Sequence, residues 1–135
     1  MALWLFKQEP DCYSFADLVQ DGSTNWDGIS NALALKHLRT CAAGDRVFFY
    51  HTGKEKAIVG IMEITGVPIP DPNLEDEKLV VVPVKPIAPL PNPVSLAAIK
   101  AEKLFADWEL VRMARLSVMP CNPERWAKIL EMAEG

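Results

Sequence analysis

The 135-residue chain lacks most of the features by which a sequence declares its chemistry. No apolar run approaches the roughly 18 residues of a spanning helix, because charged residues, polar residues and prolines interrupt each one, so a helical membrane span is excluded and no membrane partner is expected. With only two histidines, His37 and His51, a His-rich metal site is excluded. Cys12, Cys41 and Cys121 lie far apart, form no Cys-x-x-Cys pair and are odd in number, so reduced, structurally neutral thiols are expected, with no metal and no cofactor. There is no Gly-x-Ser-x-Gly elbow, Walker loop, His-Glu-x-x-His or Gly-x-Gly-x-x-Gly, each of which would have implied a definite mechanism. The start, Met1 to Lys7, has neither a basic region before its apolar run nor a small-residue cleavage pattern after it, so a cytoplasmic product is expected.

Positive charge is also scarce. Fourteen Lys and Arg face 18 Asp and Glu, a net charge of −4, which argues against a broad basic surface that grips nucleic acid. Four of the acids, Asp71, Glu75, Asp76 and Glu77, crowd one stretch, however, and the remaining chain is balanced. That leaves room for a local basic cleft. The length suits one domain spanning 1–135, expected to be a monomer.

What is present reads as alternating strands and short helices. Leu3 to Gln8 predicts a strand buried on both faces, ended by Glu9-Pro10. Ser14-x-x-Asp17 resembles a capping box that opens a short helix carrying Phe15, Leu18 and Val19. After a turn-rich Asp21 to Asn25, a second helix is predicted from near Ser30 to Arg39. Arg46 to His51 and Ala57 to Thr65 form an antiparallel hairpin about Thr52-Gly53-Lys54-Glu55. From Gly66 to Pro93 the many prolines suggest a loop, a strand at Leu79 to Val82 with an edge or bulge at Pro83 and Pro86, and a second loop. Ser95 caps a helix to about Glu102, Leu116 to Val118 is a short strand, and Asn122-Pro123-Glu124 opens a last helix with Trp126, Ile129 and Leu130 inward. This order lacks regular strand–helix alternation and suits a small mixed or mostly antiparallel β-barrel with helices over its openings.

Aromatic residues stand out: Trp4 and Phe6, Trp26, and Phe48, Phe49 and Tyr50. Core packing is the ordinary role of such residues, and it is assigned to Phe48 and Trp126. Polar groups nevertheless follow several of them at element ends: Lys7 and Glu9, Asp27 and Asn31, His51 and Thr52. That combination suits a pocket which stacks a flat ring and reads its edge.

The segments Trp4 to Pro10, Trp26 to Asn31, Gly44 to His51, Ile58 to Ile61 and Arg115 to Val118 resemble, in that order, the motifs of the EVE domain family. The resemblance implies an α+β, PUA-like pseudo-barrel related to PUA, ASCH and YTH domains. It also implies a reader of modified bases in DNA or RNA, not an enzyme, with an aromatic-lined pocket. Members usually carry Arg at the position of Ser30 and Ser at that of Thr52, so this chain has given up one planar donor. The absence of a basic tail before Trp4 suggests a bacterial stand-alone domain.

On this reading a flipped or single-stranded base stacks on Trp26, with Trp4 or Tyr50 beside it. Asn31, Thr52 and Ser117 meet its edge, His51 and Leu116 complete the pocket, and Lys7, Arg112 or Arg115 meets a flanking phosphate. Each has a plainer alternative: Trp26 as a lid on the barrel, Asn31 as a helix cap, Arg115 as a surface ion pair, and Asp27 and Glu9 as acceptors for backbone N–H groups. A weakly charged reader is expected to bind with a shallow salt dependence. Two other functions compete. One is a nucleotide-acting hydrolase or transferase with His51 as general base, oriented by Glu9 or Asp27. The other is a protein adaptor using the acidic, proline-containing stretch around Pro70 to Pro72.

Overall fold

The computed structural model describes residues 1–70 and 79–135. One mixed sheet in the order β2-β6-β4-β3-β1-β7 curls into a half-barrel, with helices packed against it. Strand β1 (Leu3–Gln8) lies next to one end of this order, paired in parallel with β3 (Arg46–His51) on one edge and antiparallel with the terminal strand β7 (Val118–Cys121) on the other. A hairpin joins β3 to β4 (Ala57–Ile64), as the β-branched and aromatic runs predict.

The three longest helices, together with the shorter helix Leu96–Lys100, bear on the sheet. Helix α1 (Phe15–Asp21) opens with a full capping box: the Ser14 hydroxyl accepts from Asp17 N, and the Asp17 carboxylate accepts from Ser14 N. In α2 (Ala32–Arg39) Asn31 is the cap, its Oδ1 accepting from Ala34 N at 3.0 Å, and Ala34, Leu35 and Leu38 are buried. Helix α5 (Pro123–Ala133) starts at proline after the Asn122 cap. Its inward stripe is Trp126, Ile129 and Ala133, with Trp126 stacked on Phe48 at 3.7 Å, whereas Leu130, expected inward, lies off the stripe and is 36% exposed.

The proline-rich region departs most from expectation. Instead of a loop on either side of a short strand, a single 16-residue strand, β6 (Val80–Ser95), runs through five prolines. It holds β2 (Thr24–Trp26) and β4 on its two sides, and β5 (Ile69–Pro70) pairs with its start. Proline lacks the donor a ladder needs, and the β4–β6 register accommodates this by shifting between Ile58 and Gly60 and between Ile61 and Met62. The turn-rich Thr24 to Trp26 is itself a strand, because β6 supplies a partner that local composition could not foretell. Helix α3 (Leu96–Lys100) is capped by Ser95, and a short α4 (Glu109–Arg112) follows. The last strand begins at Val118, so Leu116 and Ser117 lie in the segment that leads into it.

No helix of the described residues is long and apolar enough to cross a membrane. The acidic stretch lies outside the described residues, except that Pro70 is part of β5.

Candidate functional site

The sheet register sets neighbouring residue pairs to different tasks. Phe6 lies opposite Phe49, and Lys7 lies opposite Tyr50. Since side chains alternate along a strand, the first pair enters the core and the second comes to the other side. Phe6 and Phe49 sit 5.5 and 5.2 Å from the Trp26 ring, while the Lys7 ammonium stands 5.5 Å over the Tyr50 ring.

Around Lys7 is a cleft of about 220 Å³ lined by Lys7, Tyr50, Thr52, Gly53, Lys56, Leu96, Lys100, Leu110, Val111 and Ala114. It meets a second cleft, of about 370 Å³, at Ala114; this one is lined by Asn31, Leu33, Arg112, Met113, Ala114, Arg115 and Leu116. The cations Lys7, Lys56, Lys100, Arg112 and Arg115 line the pair, and among the described residues no carboxylate does. Lys7 Nζ donates to the Ala114 carbonyl at 3.0 Å, and the Lys7 backbone N–H donates to the Ser117 carbonyl at 2.8 Å, so strand β1 and the segment after α4 are tied at the junction. Burial holds the Lys7 ammonium below its ordinary pKa, and no carboxylate of the described residues forms an ion pair with it. Burial also pushes the Tyr50 phenol up to about 12, leaving it a neutral hydroxyl at physiological pH. Asn31 uses Oδ1 as the cap, so helix cap and cleft wall are the same residue, and its amide NH2 can still donate.

Thus Lys7, Tyr50 and Thr52 gather in one cleft and Asn31, Arg112, Arg115 and Leu116 in its neighbour. The other four expected site residues lie elsewhere. Trp4 is 6% exposed and its Nε1 donates to Asp45 Oδ2 at 3.0 Å, a buried carboxylate that also accepts from Ala2 N and Ala42 N. Trp26 is 2% exposed between Phe6 and Phe49, so it has no free face for a base. It contributes instead to the wall of a separate cleft with Gln8, Cys12, Tyr13, Thr24, Asn25 and Asp27, and its Nε1 has no hydrogen-bond partner among the described residues. His51 is buried with both ring nitrogens engaged: Nε2 accepts from Phe15 N at 3.1 Å and Nδ1 faces Glu55 Oε1 at 3.0 Å. A nitrogen that accepts a backbone N–H is not free to take a proton from substrate, and Glu55 rather than Glu9 or Asp27 orients the ring. Ser117 joins neither cleft lining and contributes its carbonyl.

Lys56 and Lys100 carry no motif and were not among the expected residues; their only sequence signal is a lysine in a hairpin turn and another at a helix end. Cys41 and Cys121 are buried, their thiols pushed up to about 12, chiefly by desolvation, and Cys12 is exposed. Among the described residues no group of three His, Cys, Asp or Glu side chains is placed to hold a metal ion.

The curled mixed sheet packed with short helices is of the PUA-like class. An ASCH protein from Zymomonas mobilis shares this fold at a TM-score of 0.64 and 14% identity, over 97% of this chain and 95% of its own. Within that class the chain belongs to the EVE domain family, which its residues 2–132 match. A protein from Rhodopseudomonas palustris solved by NMR superimposes with a TM-score of 0.94 at 40% identity, over 99% of this chain and 94% of that one. Human THYN1, solved in complex with 5-methylcytosine-containing DNA, superimposes with a TM-score of 0.91 at 26% identity, over 100% and 99%. Chicken thymocyte nuclear protein 1 (Gallus gallus) is 36% identical over 87 residues, which are 56% of this chain and 36% of that protein. The chain therefore spans about a third of the length of such curated relatives.

Proposed function

We propose that this domain is a non-catalytic reader of modified bases in DNA, and that the base enters the paired clefts that meet at Ala114. The observation that carries the reading is the concentration of five cations, with no lining carboxylate among the described residues, on a chain of net charge −4, around a lysine kept partly desolvated. A desolvated ammonium hydrogen-bonded to a carbonyl keeps its charge available for an anion. The similarity to human THYN1, which was solved with 5-methylcytosine-containing DNA, selects the mark to try first.

The wall chemistry suits a methylated pyrimidine. Leu33, Met113 and Leu116 give one cleft an apolar side against which a 5-methyl group can rest, while the Asn31 amide and Arg115 supply donors for the base edge and a phosphate. Tyr50, beneath Lys7 and 3% exposed, acts through its hydroxyl and as support for the ammonium, not as an open stacking platform. Binding then depends on edge contacts and charge more than on an aromatic sandwich. The engagement of both His51 nitrogens supports binding over nucleotide hydrolysis.

The test is a titration of short single strands and duplexes carrying 5-methylcytosine or cytosine, with RNA counterparts in parallel. Preference for the methylated DNA, weakened several-fold by Arg115→Ala, is the expected result. Equal affinity for methylated and unmethylated strands would overturn the proposal, and preference for RNA would redirect it.

A further inference from the structure

Lys56 is the one described non-glycine residue with positive φ, at 45°. Nearby Gly53 takes a positive φ of 77°, as glycine does without strain. A lysine held in the left-handed region is uncommon, and it is secured here by its own carbonyl, which accepts from Leu96 N, at the first residue of α3, at 2.8 Å. Lys56, Leu96 and Lys100 also line both the Lys7 cleft and a further cleft of about 350 Å³ beyond it, so they form the ridge between the two. Leu96 and Lys100 are four apart on α3 and share a face.

On the opposite flank of the 52–55 turn the surroundings change sign. The cleft there is walled by Glu9, Asp11 and Glu55, with Lys54 as its single cation. Beyond the ridge the lining is Lys54, Lys56 and Lys100, and the one acid, Glu55, has Oε1 turned to His51. A polyanion leaving the Lys7 cleft is thus repelled on one side and attracted on the other.

We propose that Lys56 and Lys100 form a phosphate ridge over which the nucleic-acid strand leaves the base pocket, so that the ligand is a polynucleotide strand with phosphates beyond the one next to the read base. This rests on the reading above and adds a direction to it. The left-handed backbone at Lys56 sets where its side chain leaves the turn, and Lys100 meets the next phosphate from α3. The clustering also replaces the shallow salt dependence expected from averaged composition with a measurable slope: each phosphate neutralised on a single strand adds about 0.7 to it.

The experiment compares wild type, Lys56→Gln, Lys100→Gln and the double variant on single DNA strands of three and of nine nucleotides with a central 5-methylcytosine, across a salt series. Glutamine keeps the stem and removes the charge. Wild type is expected to bind the longer strand more tightly. The double variant is expected to lose about tenfold on the longer strand, with a salt slope lower by about 1.4, and less than twofold on the shorter. Lys128→Gln, on α5 and outside these clefts, should change neither. An unchanged slope and affinity in the double variant would overturn the ridge and leave the base pocket standing. Equal losses on both strands would place the two lysines at the base itself and likewise overturn it. Failure of wild type to bind either strand would overturn the pocket reading and the ridge together. Should Lys56→Gln not fold, the exposed Lys100→Gln carries the test alone, with half the change in slope.

Discussion

Two regions built from adjacent residues of the same strands behave in opposite ways. Phe6 and Phe49 close around Trp26 in a dry cluster, and one residue along, Lys7 and Tyr50 frame a cleft with three lysines. The first region holds the fold with large, buried rings; the second holds a partly desolvated cation that pairs with no acid of the described residues. The difference teaches that in a sheet covered on both faces an aromatic residue marks bulk to be buried, while the clefts are marked by polar groups that the core leaves unmatched.

The largest expected effect is on the dry side. Trp26→Ala should cost about 3–5 kcal/mol in a denaturant melt, and Trp26→Phe far less, because its Nε1 has no partner to lose among the described residues. Ablated binding with intact stability in Trp26→Ala would make Trp26 a ligand platform and break the contrast. Next comes Gly60→Ala on β4: a Cβ there would lie 2.5 Å from the Phe15 ring. Overpacking of this kind costs about 1–3 kcal/mol, readable as a lowered Tm. It should leave affinity for methylated DNA unchanged under conditions where the protein is folded.

On the wet side Lys7→Gln should reverse the pattern. Binding should weaken about tenfold, or about 1.4 kcal/mol, without loss of stability. The sign follows from linkage: a lysine pKa lowered in the folded state means that, well below 10.5, the charged form favours the unfolded chain, so a neutral side chain removes a cost. A fall in Tm would show that Lys7 serves packing.

The smallest effect is a pH signature from His37, whose ring lies 6.0 Å from Trp4. Desolvation is the main cause that holds its pKa below 6.5, with Lys36 also lowering it and Glu109 opposing. The folded state therefore prefers the neutral ring, and its contribution to stability is complete above 6.5 and lost as pH falls through the lowered value. His37→Gln should flatten the dependence of Tm on pH between about 5 and 7.

Much of this architecture was legible. The capping residues Ser14, Asn31, Ser95 and Asn122 start helices where their side chains predict, and β1, β3 and β4 follow their apolar runs. Strand β6 was hidden because proline reads as a break, whereas bulged pairing with β4 tolerates it, and β7 was placed early because Pro120 obscured its centre. Of the residues that line the paired clefts of the candidate site, Lys7, Asn31, Tyr50, Thr52, Arg112, Arg115 and Leu116 could be named from the motifs or their neighbours. That Trp4 and Trp26 belong to the core was not legible, because their partners Asp45, Phe6 and Phe49 are brought to them by sheet pairing and packing rather than by local sequence. Lys56 and Lys100 were beyond reach, since what unites them is the contact between a turn and α3.

The position of β1 between β3 and β7 has a temporal consequence. As the chain is synthesised, β1 emerges before both its neighbours; β3 covers one edge, but the other stays bare until Val118 to Cys121 arrive. The carbonyl that receives the Lys7 ammonium belongs to Ala114, in the same late segment. The cation is therefore set in place only when the two ends of the sequence have met, so that maturation of the cleft and closure of the polypeptide are a single event.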